Sequence, residues 1–159
     1  MGEPIVLVLS AFNRLHKKMN VIYHNYAKKI GLSDAAFWLL YSLYEYGHPC
    51  TQRDLCNAWF YAPQTINSAL KALEEKDLIA LEPAPKNRKN KLVHFTQKGE
   101  AVVKETIDPL VQAELSSFMR LDEMERFELM KITQKHIELL EEEINKINIG
   151  MSSEDTSSQ

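Results

Sequence analysis

The sequence is poor in cysteine and glycine, and it has no long apolar run. Cys50 and Cys56 are its two cysteines among 159 residues. They are too few for a disulfide framework, so we expect a protein of the reducing cytoplasm. No apolar run approaches the roughly 20 residues that span a bilayer. Met1–Pro4 lacks the basic and then apolar pattern of a secretory signal. We therefore expect no membrane partner.

Signatures of catalysis and of metal binding are also missing from the sequence. No two histidines have the i, i+4 spacing of a helical metal site, and no Cys/His cluster has ligand spacing. The five glycines form no phosphate-cradling loop, and there is no nucleophile elbow or evident pair of catalytic carboxylates. We therefore expect neither an enzyme nor a bound metal or cofactor.

Charge is distributed unevenly along the chain. The formal net charge of −3 alone argues against a general nucleic-acid binder. Residues 100–159 carry six basic and fourteen acidic side chains, whereas residues 83–99 carry five basic side chains and no acidic one. A basic segment can bind phosphate in an acidic protein, because exposed charges more than roughly 10 Å apart are largely screened at 0.1 M salt. Residues 83–99 are therefore a candidate phosphate-binding segment.

Both ends of the sequence have the periodicity of long helices with an apolar side. Residues 4–30 carry a heptad-like seam, and Asp122 with Glu125 in the capping-box position opens the last helix. The small central region cannot cover both apolar sides, so we expect a second copy to cover them in a two-fold dimer. The first seam is Ile5, Leu9, Phe12, His16, Met19, Tyr23, Tyr26 and Ile30, and the last helix presents Phe127, Met130, Ile137, Leu140, Ile144 and Ile147.

The central region alternates short helices with a candidate β-hairpin. A helix that is apolar on nearly all faces belongs at the centre of a fold. Two shorter helices follow, one capped by Thr51 and one opened by Pro63. Pro109 is expected to break or kink the helix that Thr96 caps. The predicted bounds are Ala35–Tyr46 for the apolar helix, Trp59–Ala62 for the turn, Leu78–Leu81 and Leu92–Phe95 for the strands, and Lys86–Lys91 for the basic turn between them.

A polar helix start beside a basic hairpin is typical of proteins that place a helix in a DNA groove. Gln and Asn side chains can pair with adenine, Ser and Thr can bind bases or phosphates, and Lys and Arg bind phosphates. A merely solvated polar face is the alternative, and the neighbouring basic hairpin favours DNA. The predicted DNA contacts are Thr51, Gln52, Arg53, Pro63, Gln64, Thr65, Asn67, Ser68, Lys71, Lys86, Asn87, Arg88, Lys89 and Lys91.

The order and spacing of these segments resemble the MarR family of winged helix-turn-helix transcription regulators, over about residues 5–148. The resemblance is strongest in Thr51-Gln52-x-Asp54-Leu55, in the run 64–74, and in Phe95-Thr96-x-Lys98-Gly99 after the hairpin. It implies a mostly α fold with a small β-hairpin wing and long N- and C-terminal dimerisation helices. The corresponding predicted divisions are 1–32 for N-terminal dimerisation, 33–100 for DNA binding, 101–149 for C-terminal dimerisation and 150–159 for a disordered tail.

The sequence departs from the family pattern at two places. Family wings often carry Asp-x-Arg, and this chain has Asn87-Arg88-Lys89. Which of Arg88 and Lys89 enters the minor groove is therefore open, since lysine lacks the planar guanidinium fork. Asp77 stands where the family often has a glycine in the left-handed conformation at the end of a helix.

The resemblance also implies a partner and a mode of regulation. The partner would be double-stranded DNA with an inverted-repeat operator, bound by a homodimer; repression is the commoner mode in the family, and the sequence does not exclude activation. A small aromatic effector could bind between the first two helices, at a pocket formed by His16, Tyr23, Trp38 and Tyr41, with Tyr26 beside them. Ordinary core packing is the alternative for the aromatic residues, and a hydrogen bond across the dimer interface is the alternative for His16.

Two other functions remain open on the sequence alone. A winged helix can be a protein-interaction module, because a fold does not fix a function. A thiol sensor is the other, because Cys50 directly precedes the Thr51 helix cap, and a helix N-terminus lowers a thiol pKa.

Overall fold

Helices form most of the described chain, and a small antiparallel sheet forms the rest. The structure is a computed structural model that describes residues 4–47, 49–59, 62–84 and 87–147. This confirms the predicted fold class, mostly α with a β-hairpin wing. In chain order the elements are α1 (Ile5–Lys29), α2 (Asp34–Tyr46), β1 (Cys50–Thr51), α3 (Gln52–Trp59), α4 (Pro63–Glu75), β2 (Ile79–Ala84), β3 (Asn87–Phe95), α5 (Gln97–Met119) and α6 (Glu123–Asn145).

Local capping groups set the ends of the first two helices. After α1, Gly31 has a φ of 74°. The Gly31 amide donates to the Lys28 carbonyl, and the Leu32 amide donates to the Ala27 carbonyl. This is a Schellman ending, which a glycine makes without strain. The Ser33 side chain then accepts from the Ala36 amide and caps α2. Gly47, also left-handed, ends α2.

The core of the first compact unit, residues 1–111, is built around α2. Phe37, Leu39 and Leu40 are fully buried, and they belong to one hydrophobic cluster with Ile66 and Ile107. The predicted central place of the apolar helix is therefore confirmed. The Tyr26 hydroxyl donates to the Thr106 carbonyl at 2.6 Å and fixes the end of α1 against α5.

The sheet has three strands in the order β1-β3-β2, all antiparallel. The sequence predicted the two hairpin strands and missed β1, whose residues Cys50 and Thr51 pair with Val93 and Leu92. The predicted basic turn Lys86–Lys91 is wrong in extent, because residues 87–91 already belong to β3. A register shift between Pro83 and Ala84 accommodates the extra residues of β3.

The predicted break at Pro109 is wrong, because α5 runs without interruption from Gln97 to Met119, while the kink named as its alternative stays a prediction. A proline inside a helix removes one amide donor and leaves one carbonyl without its usual partner. About one turn before Pro109, α5 packs against the rest of its unit. There the Thr106 carbonyl accepts from the Tyr26 hydroxyl, and Ile107 is fully buried. Packing on this side offsets the local cost of the proline.

The second unit, residues 112–159, contains the end of α5 and all of α6. Asp122 caps α6 as predicted: its carboxylate accepts from the Glu125 amide, and the Glu125 side chain accepts from the Asp122 amide, both at 2.8 Å. The Arg126 guanidinium donates to the Leu121 carbonyl at 2.6 Å, which holds the turn between the helices. Among the described residues no helix has the length and apolar character needed to cross a membrane. The predicted divisions at residues 32, 100 and 149 stay predictions, and the predicted tail 150–159 lies outside the described residues.

Candidate DNA-binding surface

Helix α4 has one buried apolar face and one exposed polar face. Its core side consists of Ile66, Ala69, Leu70 and Leu73, all buried. This three-and-four spacing turns the other side chains outward together. The outward-facing residues are the predicted contacts Gln64, Thr65, Asn67, Ser68 and Lys71, all of them exposed.

The N-terminal turn of α4 carries amide groups with no intrahelical acceptor. Pro63 occupies the first turn, and Ala62 before it provides no side-chain cap among the described residues. The first turn holds no acidic residue. The amides of Gln64 and Thr65 therefore point out of the helix end, where the helix dipole favours an anion. This end of α4 is suited to a DNA phosphate.

Thr51 and Asp54 cap the start of α3 reciprocally. The Thr51 amide and hydroxyl both donate to the Asp54 carboxylate, at 2.8 and 2.7 Å, and the Asp54 amide donates to the Thr51 hydroxyl oxygen. The predicted Thr51 cap is therefore present, and Asp54 completes a capping box with it. Both donor hydrogens of Thr51 are already used, so its main role is structural, and its DNA contact stays a prediction.

A side-chain hydrogen bond joins the two helices of the helix-turn-helix. The Gln52 amide nitrogen donates to the Asn67 side-chain oxygen at 2.9 Å, where Asn67 is exposed and Gln52 is partly buried. The bond occupies one donor of Gln52 and one lone pair of Asn67, and leaves the Asn67 amide donors free of this contact. It therefore fixes the direction in which Asn67 can offer hydrogen bonds to a base edge.

These residues line a groove of about 640 Å³ between α3, α4 and the wing. Arg53, Lys71 and Lys91 bring three positive charges to it, and Glu74 brings one negative charge. Lys71 lies 3.8 Å from Glu75, but both side chains are largely exposed, so this ion pair holds Lys71 only weakly. The groove is a concave, net positive surface beside the exposed face of α4.

The structure adds Asn57 to the groove, a residue that the sequence reasoning missed. Asn57 lies four residues after Arg53 on α3, so both project from one face of that helix. This spacing could have revealed it. Of the predicted contacts, Thr51, Gln52, Arg53, Pro63, Asn67, Lys71 and Lys91 line the groove, while Gln64, Thr65 and Ser68 lie on the exposed face of α4 outside its lining.

The wing tip carries the remaining predicted contacts. Lys86 lies outside the described residues, and so do the side chains of Asn87, Arg88 and Lys89, whose backbone belongs to β3. Lys91 is exposed and opposes Pro83 on β2. The choice between Arg88 and Lys89 for the minor groove stays open.

The segment after the wing holds the end of α4 in place. The Thr96 hydroxyl donates to the Asp77 carbonyl at 2.7 Å, the Lys98 ammonium to the Lys76 carbonyl at 2.6 Å, and the Thr96 amide to the Leu78 carbonyl at 3.1 Å. Three successive carbonyls behind α4 are thus bound by one short segment. The orientation of α4 is therefore coupled to the start of α5.

The aromatic residues predicted to line an effector pocket pack against one another. The Trp38 ring centroid lies 4.8 Å from that of Tyr23 and 5.6 Å from that of Tyr41. Trp59, which the sequence reasoning left out, joins them at 5.9 Å from Tyr41. His16 is exposed on α1, two helical turns and roughly 10 Å along the axis from Tyr23. An effector site at these residues stays a prediction.

The two cysteines differ in their surroundings. Cys50 is buried at 1% exposure, and burial, followed by the negative charge of Asp54, raises the pKa of its thiol to about 11. The expectation that the helix N-terminus lowers this pKa is wrong, because desolvation disfavours the thiolate more strongly. Cys56 is partly buried and lines the groove.

Comparisons with known proteins agree with this geometry. The MarR family model matches residues 30–89. BpsR of Bordetella bronchiseptica, solved in a study of its regulation by 6-hydroxynicotinic acid, is 25% identical with a TM-score of 0.65, covering 81% of this chain and 91% of BpsR. S. aureus MepR in complex with DNA is 19% identical with a TM-score of 0.70, and the match covers 84% of this chain and 97% of MepR. The organohalide-sensing RdhR-CbdbA1625, bound to 2,4-dichlorophenol, is 16% identical with a TM-score of 0.65, and the match covers 85% of this chain and 80% of RdhR-CbdbA1625.

No curated protein sequence matched the chain. The fold is that of winged helix-turn-helix proteins. The groove between α3, α4 and the wing is its candidate DNA-binding surface. The match to the MarR family model covers residues 30–89, and the MarR family consists of transcription regulators rather than enzymes.

Proposed function

We propose that the protein is a homodimeric, sequence-specific transcriptional repressor that binds an inverted-repeat operator. Helix α4 of each subunit enters a major groove, and the wing contacts the flanking minor groove. The exposed polar face of α4 beside Arg53, Lys71 and Lys91 carries this proposal. The complex of MepR with DNA supports it, since that protein shares the fold. The bound dimer would occlude a promoter in the cytoplasm.

Exposed apolar side chains support the homodimer. No residue of α6 is buried, and Phe127 and Ile137 on it are 62% and 57% exposed. Ile5 on α1 is 78% exposed. Apolar stretches of this length are rarely left open in a soluble monomer, and a second copy covers both in a closed two-fold pair. Sedimentation equilibrium should give twice the 18.3 kDa chain mass, and a monomer at micromolar concentration would contradict the homodimer.

A small aromatic molecule is the proposed effector that releases the DNA. BpsR is regulated by 6-hydroxynicotinic acid, and RdhR-CbdbA1625 was solved with 2,4-dichlorophenol. The predicted site is formed by Tyr23, Trp38 and Tyr41, with His16 along α1. Because these rings already pack together, an effector must separate them, and it would favour one spacing of the α4 helices over another. Tryptophan fluorescence during titration with a panel of phenols tests this site.

A thiol-sensing regulator is disfavoured by the buried, protonated Cys50. A protein-interaction module is the remaining alternative, and salt dependence separates it from DNA binding. Phosphate contacts release counterions, so a protein with about six such contacts loses roughly a thousandfold in affinity between 50 and 200 mM salt. Fluorescence anisotropy with a labelled random-sequence duplex measures this slope.

Matched variants test whether the charged residues of the groove cause the salt dependence of DNA affinity. Lys71→Ala and Arg53→Ala should each reduce the salt slope by about one. Lys135→Ala, an exposed lysine on α6, should leave it unchanged and is the control. A flat salt dependence, or equal slopes in all three variants, would favour the protein-interaction module.

A further inference from the structure

A second cavity lies on the other side of the wing strand β3. It has a volume of about 750 Å³ and is bounded by the C-terminal end of α2, by β3 and by α5. Leu92, His94 and Phe95 line it, Lys91 lines the DNA-side groove, and Val93 borders both. Strand β3 therefore forms part of the wall of each cavity. The volume falls within the range of roughly 300–1,000 Å³ that small-molecule sites occupy.

The wall of this cavity is largely apolar. Leu43 from α2, Leu92 and Phe95 from β3, and Val103 from α5 contribute to it. Leu43 and Val103 are buried members of the core, so this part of the wall is rigid. Such a wall suits an apolar ligand body.

The polar groups at the cavity give it a negative charge. Glu82, Glu100 and Asp108 line it together with a single ammonium group, that of Lys104. The Tyr44 hydroxyl donates to the Asp108 carboxylate, which raises the pKa of Tyr44 and helps to hold Asp108 in place. His94 approaches Glu82 at 3.3 Å between Nε2 and Oε1. Apart from His94, three carboxylates and one ammonium group line the cavity.

A metal ion does not fit these groups. Among the described residues no three His, Cys, Asp or Glu side chains are grouped as metal ligands. Separated carboxylates around an apolar wall match an amphipathic cation better, because the ammonium group can lie at the carboxylates while its apolar part covers Phe95.

We propose that this cavity binds a small organic amine with an apolar body, and that the occupied cavity alters DNA affinity through β3. The regulatory half rests on the proposed function, because β3 is the strand that also carries Lys91 into the DNA-side groove. A ligand that contacts Leu92 and His94 stabilises one position of the wing. It changes DNA affinity only if DNA binding favours a different position.

Isothermal titration calorimetry with three compounds of one shape tests the binding half. The compounds are 4-phenylbutylamine, 4-phenylbutan-1-ol and 4-phenylbutyrate, which are cationic, neutral and anionic at pH 7. The amine should bind about fivefold or more tightly than the alcohol, and the acid should bind most weakly, since partly exposed charge pairs give modest gains. No detectable amine binding at millimolar concentration, or equal affinity for all three, would overturn the proposal.

Four exposed positions on the wing and α5 sharpen the test without disturbing the core. Glu82→Gln and Glu100→Gln should each weaken amine binding by about threefold to fivefold, whereas Lys104→Gln should strengthen it. Glu105→Gln on α5 lies outside the cavity lining and should have no effect. Equal losses in Glu100→Gln and Glu105→Gln would place the amine elsewhere and contradict the site.

Anisotropy with labelled duplex DNA in the presence of the amine tests the regulatory half. The amine should shift the DNA affinity of the native protein and have a smaller effect on Glu100→Gln. Amine binding with unchanged DNA affinity would overturn regulation through β3. A protein that binds the amine at this cavity and binds no DNA would overturn the proposed function and leave the amine site intact.

Discussion

Gly99 packs so closely against Leu78 that a Cβ at residue 99 would overlap the Leu78 carbonyl oxygen. The same carbonyl accepts the Thr96 amide at 3.1 Å. The contact joins the start of α5 to the segment that follows α4, the helix proposed to read DNA. It explains in physical terms why the Thr96-x-Lys98-Gly99 step needs a glycine: the space for a side chain is occupied by backbone.

Gly99→Ala should lower the free energy of unfolding by about 2–3 kcal/mol, because backbone must move to make room. Gly47→Ala is the matched control: its φ is 74° with nothing within 4 Å of an added Cβ, so only the conformational cost of about 1 kcal/mol applies. Urea denaturation followed by circular dichroism measures both. Equal losses in the two variants would contradict the close contact.

Asp77 has a φ of 58°, and it forms the left-handed residue of a Schellman ending of α4. Its amide donates to the Glu74 carbonyl, and the Leu78 amide donates to that of Leu73. Asp77→Gly should therefore raise the free energy of unfolding by about 0.5 kcal/mol, and Asp77→Val should lower it by more than 1 kcal/mol. A glycine variant that unfolds more easily than the native protein in urea would refute this account.

The buried thiol of Cys50 makes stability depend on alkaline pH. Its pKa is raised to about 11 from an ordinary value of 9.0, so between these values the folded state holds more protons than the unfolded state. The contribution of this thiol to the free energy of unfolding is fully present below about pH 9. It is lost as the pH rises through 11, by at most about 1.4 kcal/mol per pH unit. Two variants are compared, Cys56→Ser alone and Cys56→Ser combined with Cys50→Ala. The free energy of unfolding of the first should exceed that of the second, and this difference should shrink from pH 8 to pH 10.5. A constant difference would show that the thiol titrates normally.

Gln52 and Asn67 should act on DNA as a pair. Gln52→Ala frees Asn67 to rotate, and Asn67→Ala removes the proposed base contact, so each should weaken operator binding by several-fold. In the double variant the losses should be less than additive, because the 2.9 Å hydrogen bond between them is removed in either single variant. A double-mutant cycle by anisotropy measures the coupling, and strict additivity would mean that the hydrogen bond does not orient Asn67.

Elements specified by local groups could be predicted from the sequence. Pro63 predicts the start of α4, and the Asp122–Glu125 capping box predicts the start of α6, because each acts within one turn of its own helix. The same holds for Thr96, whose side chain accepts from the Gly99 amide at 2.9 Å and caps α5.

Features that depend on distant partners could not be predicted. Strand β1 is two residues long and exists only because Cys50 and Thr51 pair with β3, more than 40 residues later. Helix α5 continues through Pro109, one turn after the Thr106 carbonyl accepts from Tyr26 of α1, a contact that no local rule contains. The polar face of α4 was predictable from its periodicity, whereas the groove shared with Asn57 and the cavity behind β3 required the positions of several elements.

In vitro selection from random duplex DNA with the purified full-length protein tests the central claim most directly. The account predicts enrichment of an inverted repeat whose half-sites lie about one helical turn, or roughly 10 base pairs, apart, as two α4 helices in a two-fold dimer require. No enriched sequence, or a single site without inverted symmetry, would contradict the homodimeric operator-binding function.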